Sequence, residues 1–248
     1  EDVFPKTDAE FQSVMGTIYT SLRGHYSLGY WFAQEISSDE AILPVYGGNW
    51  FDGVIDDVEI YNFALTDQDI ADLFAAQSQF PGIADELVAH YSLNGDGTDE
   101  TQFGNDASLD EAATATTNRH GWASNALHGA ALADNSIALQ SDYTTISFWV
   151  NPTSLPASGE VYLMSNGGWQ ERWKISLPSH GKPVFTTHAT ACCSDMDSGD
   201  GNALPIGEWK HVVMTHDGIT DRIFFDGVQV NEKAYAGALS QTGHPFGI

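Results

Sequence analysis

The sequence predicts a mainly β protein: an antiparallel β-sandwich of jelly-roll form behind a short helical N-terminal segment. Three observations carry that. From Leu87 the residues alternate, Leu87, Ala89, Tyr91 and Leu93 falling on one face and Val88, His90 and Ser92 on the other. Further short β-rich runs follow at 144–150, 160–164, 172–177, 183–187, 209–216, 222–225 and 228–230, separated by turn residues at the spacing of a sandwich. Asp226-Gly227, between two such runs, is a strong hairpin signal.

The elements before Leu87 follow a different rhythm. Phe11, Val14, Met15, Ile18, Tyr19 and Leu22 form one helical stripe, with a capping-box pattern at Thr7 and Glu10 and a stop at Gly24. A second short helix is expected around Tyr30 to Ile36. The stretch FDGVIDDVEIYNFAL, 51–65, then reads as a strand. Val58 and Ile60 share a face and Asp56 has the same parity, while Asp57, Glu59 and Tyr61 point the other way. TDQDIADLFAAQ is one short helix capped by Thr66, with Ile70, Leu73 and Phe74 as its buried stripe. FPGIADE, 80–86, is a linker. The expected divisions are thus 1–50, 51–80 and 87–248.

Composition narrows the function. The formal net charge is −25, from 34 acidic and 9 basic residues. A nucleic-acid phosphate track needs Lys and Arg, so no nucleic-acid partner is expected. No apolar run approaches the roughly 18 residues of a membrane helix, so no transmembrane segment is expected. No signal-peptide pattern is visible, as in a mature chain whose leader has been removed. The two cysteines are adjacent, Cys192 and Cys193. Neighbouring Cα atoms lie about 3.8 Å apart, below the usual disulfide range of about 4.4–6.8 Å. The pair is either two free thiols or a vicinal disulfide whose stiff ring suits a ligand-facing loop. No second Cys pair or spaced His pair points to zinc.

Two kinds of chemistry are suggested. NGDGTDE sets Asn94, Asp96, Asp99 and Glu100 on one Gly-containing loop, and hard oxygen ligands on a bendable loop suit Ca²⁺. A second acidic loop, SDMDSGDG, offers Asp195, Asp197 and Asp200. Exposed aromatics beside polar residues suit sugar rings, whose apolar faces stack while neighbours hold the hydroxyls. Trp169 in GGWQERW, with Gln170 and Arg172, and Trp122 in RHGW are the candidates. Together near the CCSD loop they would make a binding edge. Trp149 and Trp209 lie in strand patterns and read as core, and His211 and His216 as structural. No nucleophile elbow, P-loop, HExxH or dinucleotide fingerprint appears, and IDDVEI sets Asp57 and Glu59 at alternating positions with no third acid in that register, so no enzyme is expected.

Residues 87–248 resemble a laminin G-like, concanavalin A-like jelly roll, through LVAHYSLNGDGTDETQFGNDA, TTISFWVNP, LPIGEWKHVVMTHDG and IFFDGVQV. In that family a final strand reading FdGxIDdvrIYnxaLs follows the segment matched here by HPFGI. FDGVIDDVEIYNFAL is similar to that strand but precedes the domain, and the helix to Gln77 is similar to the tail behind it. The resemblance implies a metal between the first loop and the last strand, with Asp99 and Asp56 in the family's positions and Asn105 and Asp106 in the same segment. Residues 1–53, through AEFQSVMGTIYTSLRG and EISSDEAILPVYGGNWFDG, resemble the start of SusD-like lipoproteins that capture glycans at Gram-negative cell surfaces. The expectation is a non-catalytic, calcium-stabilised module, extracellular or on the outer cell surface, that binds polysaccharide or glycoprotein glycans and serves adhesion. The competing expectation is a structural subunit that polymerises with other copies of itself by exchange of strand 51–65. A third is a fragment or fusion with no single evolved function.

Overall fold

A computed structural model describes residues 51–76, 86–134, 136–189 and 192–248. The helices expected within 1–50, the SusD-like resemblance over 1–53 apart from its last three residues, and the linker over 80–86 apart from Glu86 lie outside the described residues. Among the described residues, two antiparallel sheets face each other. Their strands are β1 (Gly53–Tyr61), β2 (Leu87–Tyr91), β3 (Ala107–Leu109), β4 (Thr114–Thr116), β5 (Ala126–His128), β6 (Ala131–Ala133), β7 (Thr144–Pro152) and β8 (Glu160–Asn166). They continue with β9 (Trp173–Pro178), β10 (Val184–Thr187), β11 (Ser194–Asp197), β12 (Lys210–His216), β13 (Thr220–Phe225), β14 (Val228–Ala234) and β15 (Phe246–Gly247). One sheet runs β14-β13-β12-β7-β1-β5-β4, with β2 also on β1; the other runs β11-β10-β9-β8-β15-β6-β3. The fold is the mainly β sandwich that the alternation predicts.

The early strand β1 lies in the middle of its own chain's sheet. It pairs with β7 from Gly53↔Pro152 to Tyr61↔Thr145, and on its other edge with β2 and β5. Ile55, Val58 and Ile60 enter the core with Phe148, Val150, Ile175, Phe185 and Met214. Each such buried side chain stabilises by about 1.5–3 kcal/mol, so β1 is a principal part of the core. A monomeric mass is therefore expected from light scattering at low micromolar concentration; a filament-like mass distribution would mean that β1 pairs between copies instead.

The strict alternation expected along β1 is broken. The register with β7 shifts between Asp56 and Glu59, and Asp57 has φ 55°. This is a β-bulge, in which one extra residue opposes the partner strand and re-aims its neighbours. Ile55 and Val58 both face the core, so Asp56 does not share the Val58 face; it lies with Asp57 and Glu59 on the outside of the sheet.

Helix α1 (Asp67–Ala76) caps part of that outer face. Thr66 Oγ1 accepts the Asp69 N–H at 3.2 Å, and Asp69 Oδ2 accepts the Thr66 N–H at 3.0 Å, a reciprocal cap. Ile70 and Leu73 bury against Tyr61, Leu65, Val213 and Phe224. Phe74 stacks on Trp149 and His211, so Trp149 packs under the helix outside the sandwich core rather than inside it. The acidic stretch SDMD also differs from its loop expectation. It is strand β11, with Ser194 and Met196 turned inward and Asp195 outward. Asp197 and Asp200 both pair with Lys182.

Candidate functional site

A cleft of about 340 Å³ opens on the outer side of the eight-stranded sheet. Its floor is the β1 bulge and its walls come from the loop after β2 and the turn between β4 and β5. Asp56, Asp57, His90, Asn94, Glu100, Arg119, His120, Trp122 and Asn125 are among its lining residues. The turn is closed by Asn118, whose Oδ1 accepts the N–H groups of His120 and Trp122, both at 3.0 Å. The peptide N–H of Asn118 in turn donates to the Trp122 carbonyl at 3.0 Å. This places the Trp122 ring at the rim, 64% exposed and 5.3 Å from the His120 ring. Asn125 Nδ2 donates to Asn94 Oδ1 at 2.6 Å, joining the two walls.

The floor is heavily charged. Arg119 reaches from the turn to both bulge carboxylates, Nη1 to Asp56 at 2.6 Å and Nη2 to Asp57 at 2.7 Å, with its guanidinium 4.9 Å from the Trp149 ring centre. His90 Nε2 lies 3.1 Å from Asp57 and its Nδ1 3.5 Å from Glu100. Burial favours a neutral His90, but the surrounding carboxylates outweigh it and raise its pKa. For Asp57, burial works upward while His90 and Arg119 hold the carboxyl below its ordinary range. Burial drives Asp56 up to about 6 against the pull of Arg119. Glu59 lies below them, 2% exposed, accepting the Tyr61 hydroxyl at 3.0 Å.

The expected calcium ligands are spread over separate tasks. Asp99 accepts five hydrogen bonds, from the N–H groups of His90, Thr101 and Asn105, the Thr101 hydroxyl and the Asn105 amide. A carboxylate has about four acceptor sites, so Asp99 is saturated as an organiser of its loop. Asn105 also donates to the Val88 carbonyl, Asp106 accepts the Asp99 N–H, and Asp96 accepts the Thr98 N–H. Asn94 is tied to Asn125 and Asp56 to Arg119. A Ca²⁺ shell needs roughly six to eight converging oxygens, and this donor set, turned toward N–H groups and a guanidinium, does not fit one.

The expected glycan residues separate in a similar way. Trp122 lies in the cleft, whereas Trp169, 38% exposed, lines a different groove of about 450 Å³ with Glu160, Lys174, Val184 and Asp195. The two tryptophans sit on turns of different sheets and do not form one edge. Gln170 is exposed beside Trp169. Arg172 is not a surface ligand: it is 0% exposed, and its guanidinium donates to the Ser141 and Ser240 carbonyls. Burial lowers its pKa to about 10. Cys192 and Cys193 are joined in a vicinal disulfide, and the Cys193 sulfur lies 3.5 Å from the Trp169 carbonyl oxygen.

Arg119 is the cleft residue hardest to foresee from sequence. Its one signal is rarity, since it is among only 9 basic residues in a strongly acidic chain.

No curated protein matches the chain. Among solved structures it is similar to the binding domain of botulinum neurotoxin DC in complex with SialylT, at 12% identity and a TM-score of 0.42, over 60% of this chain and 40% of that one. It is also similar to domain 4 of AbnA, an extracellular arabinanase of Geobacillus stearothermophilus in complex with arabinotriose, at 17% identity and a TM-score of 0.41, over 65% and 82%. The carbohydrate-binding module CBM66 of Bacillus subtilis matches at 11% identity and a TM-score of 0.27, over 47% and 82%. The chain thus spans about two-fifths of the length of the neurotoxin domain. No helix among the described residues is long and apolar enough to cross a membrane. Residues 124–248, just over half of the sequence, match the family of concanavalin A-like lectins and glucanases, and the chain belongs to that superfamily.

Proposed function

We propose that the chain is a non-catalytic carbohydrate-binding module that works outside the cell or on its surface, and that the Trp122 cleft holds the glycan. The observation that carries this reading is the exposed Trp122 ring at the rim of a cleft walled by Asn94, Glu100, His120 and Asn125. A sugar can lay an apolar face on the ring while amide and carboxylate groups hold its hydroxyls. A glycosidase needs two reachable carboxyl groups. Here Asp56 and Asp57 are committed to Arg119, and Glu59 is buried beneath the surface. The net charge of −25 repels uronic or sulfated chains, which favours neutral glycans. A disulfide between Cys192 and Cys193 suits an oxidising compartment.

Affinity electrophoresis through gels holding neutral arabinan, galactan, mannan or β-glucan tests the reading. At least one polymer is expected to retard the protein, and Trp122→Ala is expected to weaken that retention about tenfold, the loss of about 1.4 kcal/mol of stacking. Its melting temperature should not move, because the ring is exposed. No retardation by any polymer, or full retention by Trp122→Ala, would overturn the assignment.

A further inference from the structure

We propose that Arg119 is the resident cation of this site: its guanidinium, not a bound divalent ion, neutralises the Asp56–Asp57 pair and ties the first loop and the Trp122 turn to β1. The β1 bulge brings two consecutive carboxylates to one side of the sheet, an arrangement that strict alternation forbids. Two anions so placed, largely out of water, repel each other unless a cation lies between them. Arg119 meets that need with one nitrogen on each carboxylate, at 2.6 and 2.7 Å, and its side chain is 8% exposed. A planar fork on a delocalised cation suits two acceptors at once, and the Trp149 ring 4.9 Å away adds a cation–π contact.

The link to the first loop also runs without metal. Asp99 Oδ1 accepts the His90 N–H at 3.0 Å, and the His90 ring lies 3.1 Å from Asp57. Loop, strand and turn are therefore joined through Asp99, His90, Asp57 and Arg119 in series. A divalent ion would have to displace the guanidinium from Asp56 and strip Asp99 of its N–H partners. The module consequently holds its shape, and presents Trp122, in the presence of chelators. This conclusion goes beyond the glycan reading and stands without it.

The test is thermal melting of the unaltered protein, Arg119→Ala and Arg119→Lys, each in EDTA and in millimolar CaCl₂. The unaltered protein is expected to melt at the same temperature in both. Arg119→Ala should melt about 10 °C lower in EDTA, as expected when one partner of a buried ion pair is removed. It should regain part of that loss in CaCl₂, because Asp56 then has lost its guanidinium partner and shares the open cleft with the Asp57 and Glu100 carboxylates. Recovery by Ca²⁺ is a response that loss of packing alone would not give. Arg119→Lys, with a single point charge, should fall between the two, and it carries the comparison if Arg119→Ala is not recovered folded. A fall in the melting temperature of the unaltered protein on chelation, reversed by Ca²⁺, would overturn the proposal. So would an Arg119→Ala protein as stable in EDTA as the parent. Failure of the polysaccharide gels with these melts as expected would reject the glycan reading alone.

Discussion

Asp221→Ala is expected to cost about 3–5 kcal/mol of folding stability, the largest single loss predicted for a residue outside the apolar core. Asp221 and His216 are both 0% exposed, and His216 Nδ1 lies 2.7 Å from Asp221 Oδ1. The other ring nitrogen lies 2.7 Å from the Gly237 carbonyl oxygen. Both nitrogens thus lie against oxygens, and the ring bridges the Asp221 carboxylate and the Gly237 carbonyl. The second carboxylate oxygen accepts the Thr187 hydroxyl at 2.8 Å. Thr187 is on β10 and Asp221 on β13, so one carboxylate fastens the two sheets together and, through His216, holds the return loop at Gly237. Truncating it leaves a buried imidazole N–H and a hydroxyl without partners. Against a total stability of about 5–15 kcal/mol, that is a large share. The check is the denaturant midpoint at unchanged slope. Asp221→Asn keeps an acceptor without the charge and should lose less, about 1.5–3 kcal/mol. A loss under about 1 kcal/mol for Asp221→Ala would show that the pair does not fasten the sheets.

Which parts of this arrangement were legible depended on how far each signal extends along the chain. β1 and α1 were readable because the Val58 and Ile60 spacing, the Thr66 cap and the Ile70 and Leu73 stripe are all local. The Asp226-Gly227 hairpin was readable for the same reason, and both residues do take positive φ, 49° and 78°. Strands β3 to β6 are only three residues each, too short for a period of two to emerge. The bulge was hidden because its positive-φ residue is Asp57 rather than the glycine that usually marks one. Arg172 was misread because its partners, the Ser141 and Ser240 carbonyls, are distant in sequence. Glu59 was placed on the correct face, yet what covers that face comes from elsewhere in the chain. Charged residues were thus the hardest to place. Their environment is set by long-range packing, and a carboxylate in water and one against a guanidinium look alike in sequence.

Glu59 converts that hidden burial into a pH dependence of stability. It sits on β1 opposite Ser147 of β7 and His90 of β2, with Tyr61 donating to its carboxylate and Asp57 and Arg119 nearby. Ser147 is itself bonded to His211 of β12 at 2.9 Å. Burial raises the Glu59 carboxyl from 4.5 to about 7, with the His90 and Arg119 charges and the Tyr61 bond pulling down and Asp57 pushing up. The folded chain therefore keeps this proton between pH 4.5 and 7 while the unfolded chain releases it. Stability falls as pH rises through that window and levels above it. At about 1.36 kcal/mol per pKa unit, the loss is about 3 kcal/mol. His90 acts in the same direction. Its pKa is raised in the fold, so its contribution is complete below its ordinary 6.5 and disappears as pH rises through the folded value. Self-repulsion among the other acidic groups also grows with pH, so the informative quantity is the difference between the parent and Glu59→Gln. Gln keeps an acceptor for Tyr61 and has no charge to bury. Glu59→Gln is expected to match the parent near pH 4.5 and to exceed it by about 3 kcal/mol at pH 8, read from denaturant midpoints across that range. A parallel pair of pH curves would mean that Glu59 is solvated in the fold and that the outer face of β1 is open to water.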